Sequence, residues 1–183
     1  MANDAKEVLV AQQVKIYLGP AAASVPTTMA APSASFIDLG YTSTDGFSFS
    51  YEPTVEDIYA HQDLDPIRTI KTAQVTQVTF NLMQWNEYTV PLAFGGGSWS
   101  DAAGVYTYSP PSTNDEIAEY TLVADIGDGT KDIRFTIGRG TVASAVESTL
   151  VNNAAAVFPI TMKALKPTTG KSWNLITDET NFS

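Results

Sequence analysis

Apolar and polar residues alternate with period two in six separate stretches of the chain. Val14, Ile16 and Leu18 alternate with Gln13, Lys15 and Tyr17, and Phe47, Phe49 and Tyr51 with Ser48, Ser50 and Glu52. Val78, Phe80 and Leu82 form a third stripe, Tyr120, Leu122, Ala124 and Ile126 a fourth. Ile133, Phe135 and Ile137 alternate with Asp132, Arg134 and Thr136, and Phe158, Ile160 and Met162 with Pro159, Thr161 and Lys163. Successive strand side chains point to opposite faces, so each stretch offers one face to a core and the other to water or a partner. Six of them in 183 residues predict a mainly β chain, an antiparallel β-sandwich or barrel.

The punctuation agrees. Gly127-Asp128-Gly129-Thr130 separates two stripes with the residues that a tight hairpin needs, and Asp45-Gly46 opens another strand. One short flanking helix is expected near Trp85–Phe94, with Trp85, Tyr88, Leu92 and Ala93 on one face. Thr89 is its expected cap, which leaves Pro91 in the first turn; Asn86 as cap would set Pro91 too deep. Residues 19–35 are almost all Gly, Pro, Ala, Ser and Thr, with Val25 and Met29 the larger apolar side chains, and read as a long mobile loop. Residues 167–183 read as a polar tail around an isolated Trp173. The expected organisation is an N-terminal arm (1–12), one β-domain (13–166, with the loop 19–35) and a C-terminal arm (167–183). Long segments without core residues order on a neighbour or stay disordered.

Composition removes several function classes. There is no cysteine, hence no disulfide, thiolate metal site or cysteine nucleophile. Ten Lys and Arg stand against twenty Asp and Glu, for a formal charge of −10, which disfavours ordinary nucleic-acid binding and an anionic membrane surface. With 16% charged and 44% hydrophobic residues this is a core-forming chain and not an acidic tail. Asp4 and Glu7 stand where a signal peptide has its basic region, and no stretch reaches the roughly 20 apolar residues of a membrane helix. The expectation is synthesis in a cytoplasm.

No catalytic constellation emerges. His61, the single histidine, lies near Asp63 and Asp65, but no nucleophile elbow accompanies it. Gly170-Lys171-Ser172 lacks the earlier glycine of a phosphate-binding loop, since Leu165 occupies that position. Asp125-Ile126-Gly127-Asp128-Gly129 has the wrong spacing for a calcium loop, with Thr136 in place of the bidentate Glu. Gly95-Gly96-Gly97 reads as a flexible turn, and Asn181-Phe182-Ser183 matches a glycosylation acceptor only formally. Glu56-Asp57 and Asp115-Glu116 are neighbours expected by chance among twenty acids. No enzyme activity, cofactor or metal is expected.

The acids cluster instead. From Asp45 to Asp65 lie Asp45, Glu52, Glu56, Asp57, Asp63 and Asp65 with no Lys or Arg between them. A solvated face is the plain reading; the sharper one is a wall that repels a polyanion, where contact releases no counterions. Beyond it, Thr69, Thr72, Gln74, Thr76, Gln77, Thr79 and Asn81 are uncharged apart from the intervening Lys71. Such strands suit edge pairing between subunits, because charge is the usual device that blocks it.

The run Phe36-Ile37-Asp38-Leu39-Gly40-Tyr41-Thr42-Ser43-Thr44-Asp45-Gly46, followed by Tyr51-Glu52-Pro53-Thr54-Val55-Glu56, resembles the major tail proteins of long, non-contractile-tailed bacteriophages. So do Leu82-Met83-Gln84-Trp85-Asn86-Glu87 and Leu92-Ala93-Phe94-Gly95-Gly96-Gly97, in the same order; a looser likeness runs from about Val8 to about Leu165. The resemblance implies a β-sandwich flanked by a helix. It implies six-membered rings that stack into a tube in the virion, with an acidic lumen for the genome. It also implies partners in the tail tape-measure, terminator and tip proteins. On this expectation 46–59 and 68–83 supply lumen strands, with Glu52, Glu56 and Asp57 facing DNA. Thr69, Thr72, Gln74, Thr76, Gln77 and Thr79 serve inter-subunit pairing, and Val25, Met29 and Trp173 sit on arms between rings. The rival expectation is a β-sandwich adhesin or carbohydrate- or receptor-binding module using Trp99, Tyr106 and Tyr108.

Overall fold

The computed structural model describes residues 8–21, 23–129, 132–142 and 146–178. Of the expected arms, 1–7 and 179–183 fall outside the described residues, as do Thr130 and the acceptor at 181–183. All six alternating stretches are strands: β1 (Gln13–Pro20), β3 (Thr42–Tyr59), β4 (Pro66–Leu82), β7 (Glu119–Gly127), β8 (Asp132–Val142) and β9 (Phe158–Ala164). To these are added a two-residue β2 (Ile37–Asp38), the hairpin β5 (Ser98–Ala102) with β6 (Val105–Ser109), and β10 (Trp173–Thr177).

The main sheet is antiparallel in the order β2-β1-β7-β8-β9-β4-β3, with β10 also paired to β8. It curls so that β3 lies over β8: the rings of Phe47 and Phe49 stand 5.9 and 4.7 Å from that of Phe135. The result is a sandwich and not a closed barrel, since β2 and β3 end the path without meeting. Between the layers the stripes meet as their period demands. Ile16, Leu18, Leu122, Ala124, Phe135 and Ile137 face Val78, Phe80, Leu82, Phe158, Ile160 and Met162, all buried in one cluster. Each such side chain contributes about 1.5–3 kcal/mol by leaving water.

The helix, α1 (Thr89–Ala93), closes one end with Val90, Leu92 and Ala93. Its start differs from expectation. Thr89 lies inside the helix, and the Asn86 carboxamide accepts the Tyr88 and Thr89 N–H groups at 2.9 Å. Pro91 is tolerated because it falls within the first turn, where a missing N–H leaves no bond unmade. At Gly95-Gly96-Gly97 all three φ angles are positive, and a Cβ on Gly97 would sit 2.6 Å from the Ser109 carbonyl oxygen. This turn is therefore fixed by backbone geometry that only glycine adopts there.

Candidate assembly surface

Strands β3 and β4 are much longer than the body that carries them. β9 pairs β4 only over Gln77–Leu82, and β3 is paired on one side only. The ribbon beyond Tyr51 and Thr76 therefore has no second neighbour among the described residues; from Thr76 back to Pro66 it extends about 35 Å at roughly 3.3 Å per residue. Alternation fades here for a physical reason: neither face has a core to meet. The overhang nevertheless exposes Val55, Tyr59, Leu64 and Ile67, with Leu64 at the turn 98% exposed. A two-stranded ribbon is marginal alone in water, and contiguous exposed apolar groups mark contact surfaces.

The register sorts the ribbon's faces. Tyr51 opposes Thr76 and Pro53 opposes Gln74, while Glu52 opposes Val75 on the other face. A bulge admits Thr72 as an extra residue, after which Val55 opposes Lys71, Glu56 opposes Ile70 and Asp57 opposes Thr69. Lys71 Nζ donates to Tyr51 Oη at 3.1 Å and to Gln74 Oε1 at 2.7 Å, so these three share the face that continues the core side. Thr69 Oγ1 donates to Asp57 Oδ1 at 2.6 Å on that same side. Glu52 and Glu56 thus lie on the face turned away from the core, with Ser48, Ser50, Gln77 and Thr79, whereas Asp57 lies on the opposite face. Asp45, first of the acidic run, is committed at the ribbon's base. Hydrogen bonds from the Ser43 hydroxyl and the Asn81 amide hold its carboxyl below the ordinary range.

The uncharged positions of β4 divide as well. At Gln77 and Thr79 both edges are taken, by β3 and β9, and Thr79 Oγ1 lies 3.2 Å from Thr161 Oγ1. Within the chain these two residues therefore have both backbone edges occupied. Thr76 is buried, its hydroxyl without a partner among the described residues. Thr69, Thr72 and Gln74 lie where the edge is open.

Of the segments expected to reach neighbours, 23–35 and Trp173 lie against the chain's own sheet. Gly19 and Pro20 belong to β1, and Phe36, at the far end of the segment, lies buried over Gly19, where a Cβ would approach its ring to 2.7 Å. In between, Arg134 of β8, 2% exposed, grips Asp125 of β7 through Nε–Oδ1 (2.6 Å) and Nη2–Oδ2 (2.7 Å). Its Nη1 donates to the carbonyls of Thr28 (2.7 Å) and Ala30 (2.6 Å). The hydrogen bond from Arg134 to Asp125 raises the guanidinium's pKa, against the effect of burial. Val25 lies over Gly138 and Met29 is half-buried beside Tyr17 and Asp125. Trp173, in β10, stacks on Phe135 (5.6 Å) and meets Phe49 (5.1 Å) and Tyr51 (6.3 Å). A groove of about 760 Å³ separates the two segments, beside Arg139, whose bidentate pairing with Glu119 at 2.6 Å holds that carboxyl below its usual range.

At the end of the body away from the ribbon, Trp99 and Tyr106 of the rival expectation come together with Trp85 and Val90, a grouping that the sequence did not indicate. Trp85, Val90, Trp99 and Tyr106 line a cleft of about 480 Å³, rimmed by Glu87 and Asp101. Trp85 rests on Phe158 (4.1 Å) and Trp99 on Tyr108 (5.3 Å), whose hydroxyl donates to the Gly96 carbonyl at 2.6 Å. The signal available was the pair Ser98–Ala102 and Val105–Ser109 around Ala103-Gly104, an alternating hairpin too short to stand out.

Two solved structures are similar in outline. One is described as "Virion of native gene transfer agent (GTA) particle", 10% identical over 94% of this chain and 99% of that chain, with TM-score 0.40. The other is "Tail of empty GTA particle computed with helical refinement, C6 symmetry", 11% identical over 97% and 100%, with TM-score 0.39. No curated protein matches. The family model for phage tail tube proteins, however, matches residues 1–183. The chain belongs to the phage tail tube protein family and is a structural component of the tail of a phage-like virion.

Proposed function

We propose that the overhanging β3–β4 ribbon closes a ring between copies, and that such rings, hexameric as the sequence resemblance implies, stack into a tube that conducts DNA. The observation that carries this is the ribbon's two open edges, β3 on one side and 66–76 of β4 on the other. Copies related by rotation about one axis set β3 of one antiparallel to β4 of the next. The unpaired N–H and C=O groups of 66–76 then gain partners on β3 of the next copy, and the closed barrel leaves that edge no longer open to aggregation. The role is structural, without catalysis, and the tape-measure, terminator and tip proteins are its partners in the tail.

The face of the β3–β4 pair turned from the core becomes the lumen wall. It carries Ser48 and Ser50 of β3, Gln77 and Thr79 of β4, Lys163 of the neighbouring β9 at the base, and a band of acid at Glu52 and Glu56; Arg68 lies beyond this band, towards the tip. Carboxylates there repel phosphates and release no counterions, so DNA slides past. Asp57, on the other face, has no such role. Replacing both Glu52 and Glu56 by Lys leaves tubes visible by negative-stain microscopy but slows DNA release, while Asp57→Asn leaves release unchanged. Normal infectivity of particles carrying the double Lys variant would defeat the lumen assignment.

A further inference from the structure

Arg68 and the aromatic cleft are complementary groups at opposite ends of one molecule. Arg68 stands on the outer part of the ribbon, opposite Ile58, and its side chain has no ion pair or hydrogen bond among the described residues. The cleft lies past the other end of β4, where Trp85 rests on Phe158, the register partner of Leu82. Pro66 and Leu82 are separated by the whole strand, about 50 Å at roughly 3.3 Å per residue. The guanidinium therefore cannot reach the cleft of its own chain.

The cleft's chemistry selects a cation. Trp85 and Trp99 are 50% and 39% exposed, and indole faces attract guanidinium groups, which also stack on them as flat plates. At the rim, Asp101 Oδ1 accepts the Gly104 N–H at 2.9 Å, and the Glu87 carboxylate beside Tyr88 raises the pKa of that phenol. Each carboxylate keeps acceptor capacity, and no Lys or Arg among the described residues lines the cleft. An apolar plug would dry both carboxylates without pairing them, which is costly. A guanidinium offers five donors in one plane. Of the other described arginines, Arg134 and Arg139 are paired, and Lys71 is held by Tyr51 and Gln74; Lys15, Lys163, Lys166 and Lys171 carry an ammonium, which lacks the flat face that stacks on indole. Asp63 and Asp65 lie at the turn beyond Arg68, so the attraction comes from the guanidinium face and not from the net charge of the tip.

We propose that the cleft formed by Trp85, Trp99, Tyr106, Glu87 and Asp101 receives Arg68 from the ribbon of a second copy of this chain. The contact joins one end of a molecule to the opposite end of the next, so it repeats along an axis and does not close. It rests on the tube reading above and names the socket between successive rings.

The chain has no cysteine, which makes disulfide trapping clean. The double variant Ile67→Cys/Ser100→Cys, oxidised after assembly, should give a ladder of covalent multimers on a non-reducing gel. The control pair Ile67→Cys/Thr169→Cys, aimed at the groove beside Arg139, should not. Arg68→Glu should slow polymerisation at least about tenfold and Arg68→Lys by less, since an ammonium does not stack; adding Glu87→Lys to Arg68→Glu should recover most of the rate. Tubes that form normally without the first ladder, or with the control ladder in its place, overturn the socket while leaving the tube intact. Failure of the unaltered chain to form rings or tubes overturns the tube reading, and the socket with it.

Discussion

Replacing Arg134 by Met tests whether the segment 23–35 is held by the sheet or merely drapes over it. The substitution keeps a long side chain but removes four charge-assisted contacts, two to Asp125 and two to the Thr28 and Ala30 carbonyls. Breaking a fully buried ion pair by removing one partner costs about 3–5 kcal/mol. Here Asp125 keeps 25% of its side-chain exposure, and Thr28 and Ala30 are exposed, so water takes over part of the lost bonding. That discount leaves about 2–3 kcal/mol. For a chain of this size, with roughly 2–4 °C of Tm per kcal/mol, the melting temperature should fall by about 5–10 °C. Circular dichroism on the unassembled protein measures this. Limited proteolysis should show new cuts within 23–35 at temperatures where the body is still folded. Adding Asp125→Asn to Arg134→Met should cost little more, because the stranded carboxylate is the main penalty. An unchanged Tm together with an unchanged proteolytic pattern would refute the clamp.

Two further outcomes follow from the same sheet. Arg139 lowers the folded-state pKa of Glu119, so the pair's contribution is present above the unfolded carboxyl's value of about 4.3 and is lost as pH falls through the lower folded value. Glu119→Gln should flatten the acid limb of a urea-midpoint-against-pH curve below about pH 5; an acid limb as steep as that of the unaltered protein would rule the pair out as its source. Trp173→Ala should cost about 2 kcal/mol, less than the burial of a whole indole because the ring is half-exposed. It should also speed amide exchange in β10 and along its partner positions Ile133, Phe135 and Ile137; unchanged protection there would mean β10 is held by something else.

Every strand that buries one face was legible as alternation, from Val14 through Met162, because the core enforces the period. What escaped were strands whose reason to exist lies elsewhere in space. β10 is short and polar, and it is a strand because β8 offers it an edge and Phe135 offers Trp173 a ring. The loop 19–35 lacks large apolar groups and looked free, yet its anchor is a charge on a strand about a hundred residues later. Parity alone separates Glu52 and Glu56 from Asp57, since odd and even positions of one strand face apart, but charge runs are read in one dimension and hide this. The cleft joins α1 to the β5–β6 hairpin, and nothing in either segment announces the other.

The ribbon that leaves the body at one end, with the cleft at the other, makes the subunit an object with a head and a tail. With the proposed socket, adding a copy to such a series fills one end and presents the same unfilled end one step further on. No count of copies completes it, unlike a ring, whose last contact is also its first. Length is then information the subunit does not hold. A tail of defined length needs that measure written in a different molecule.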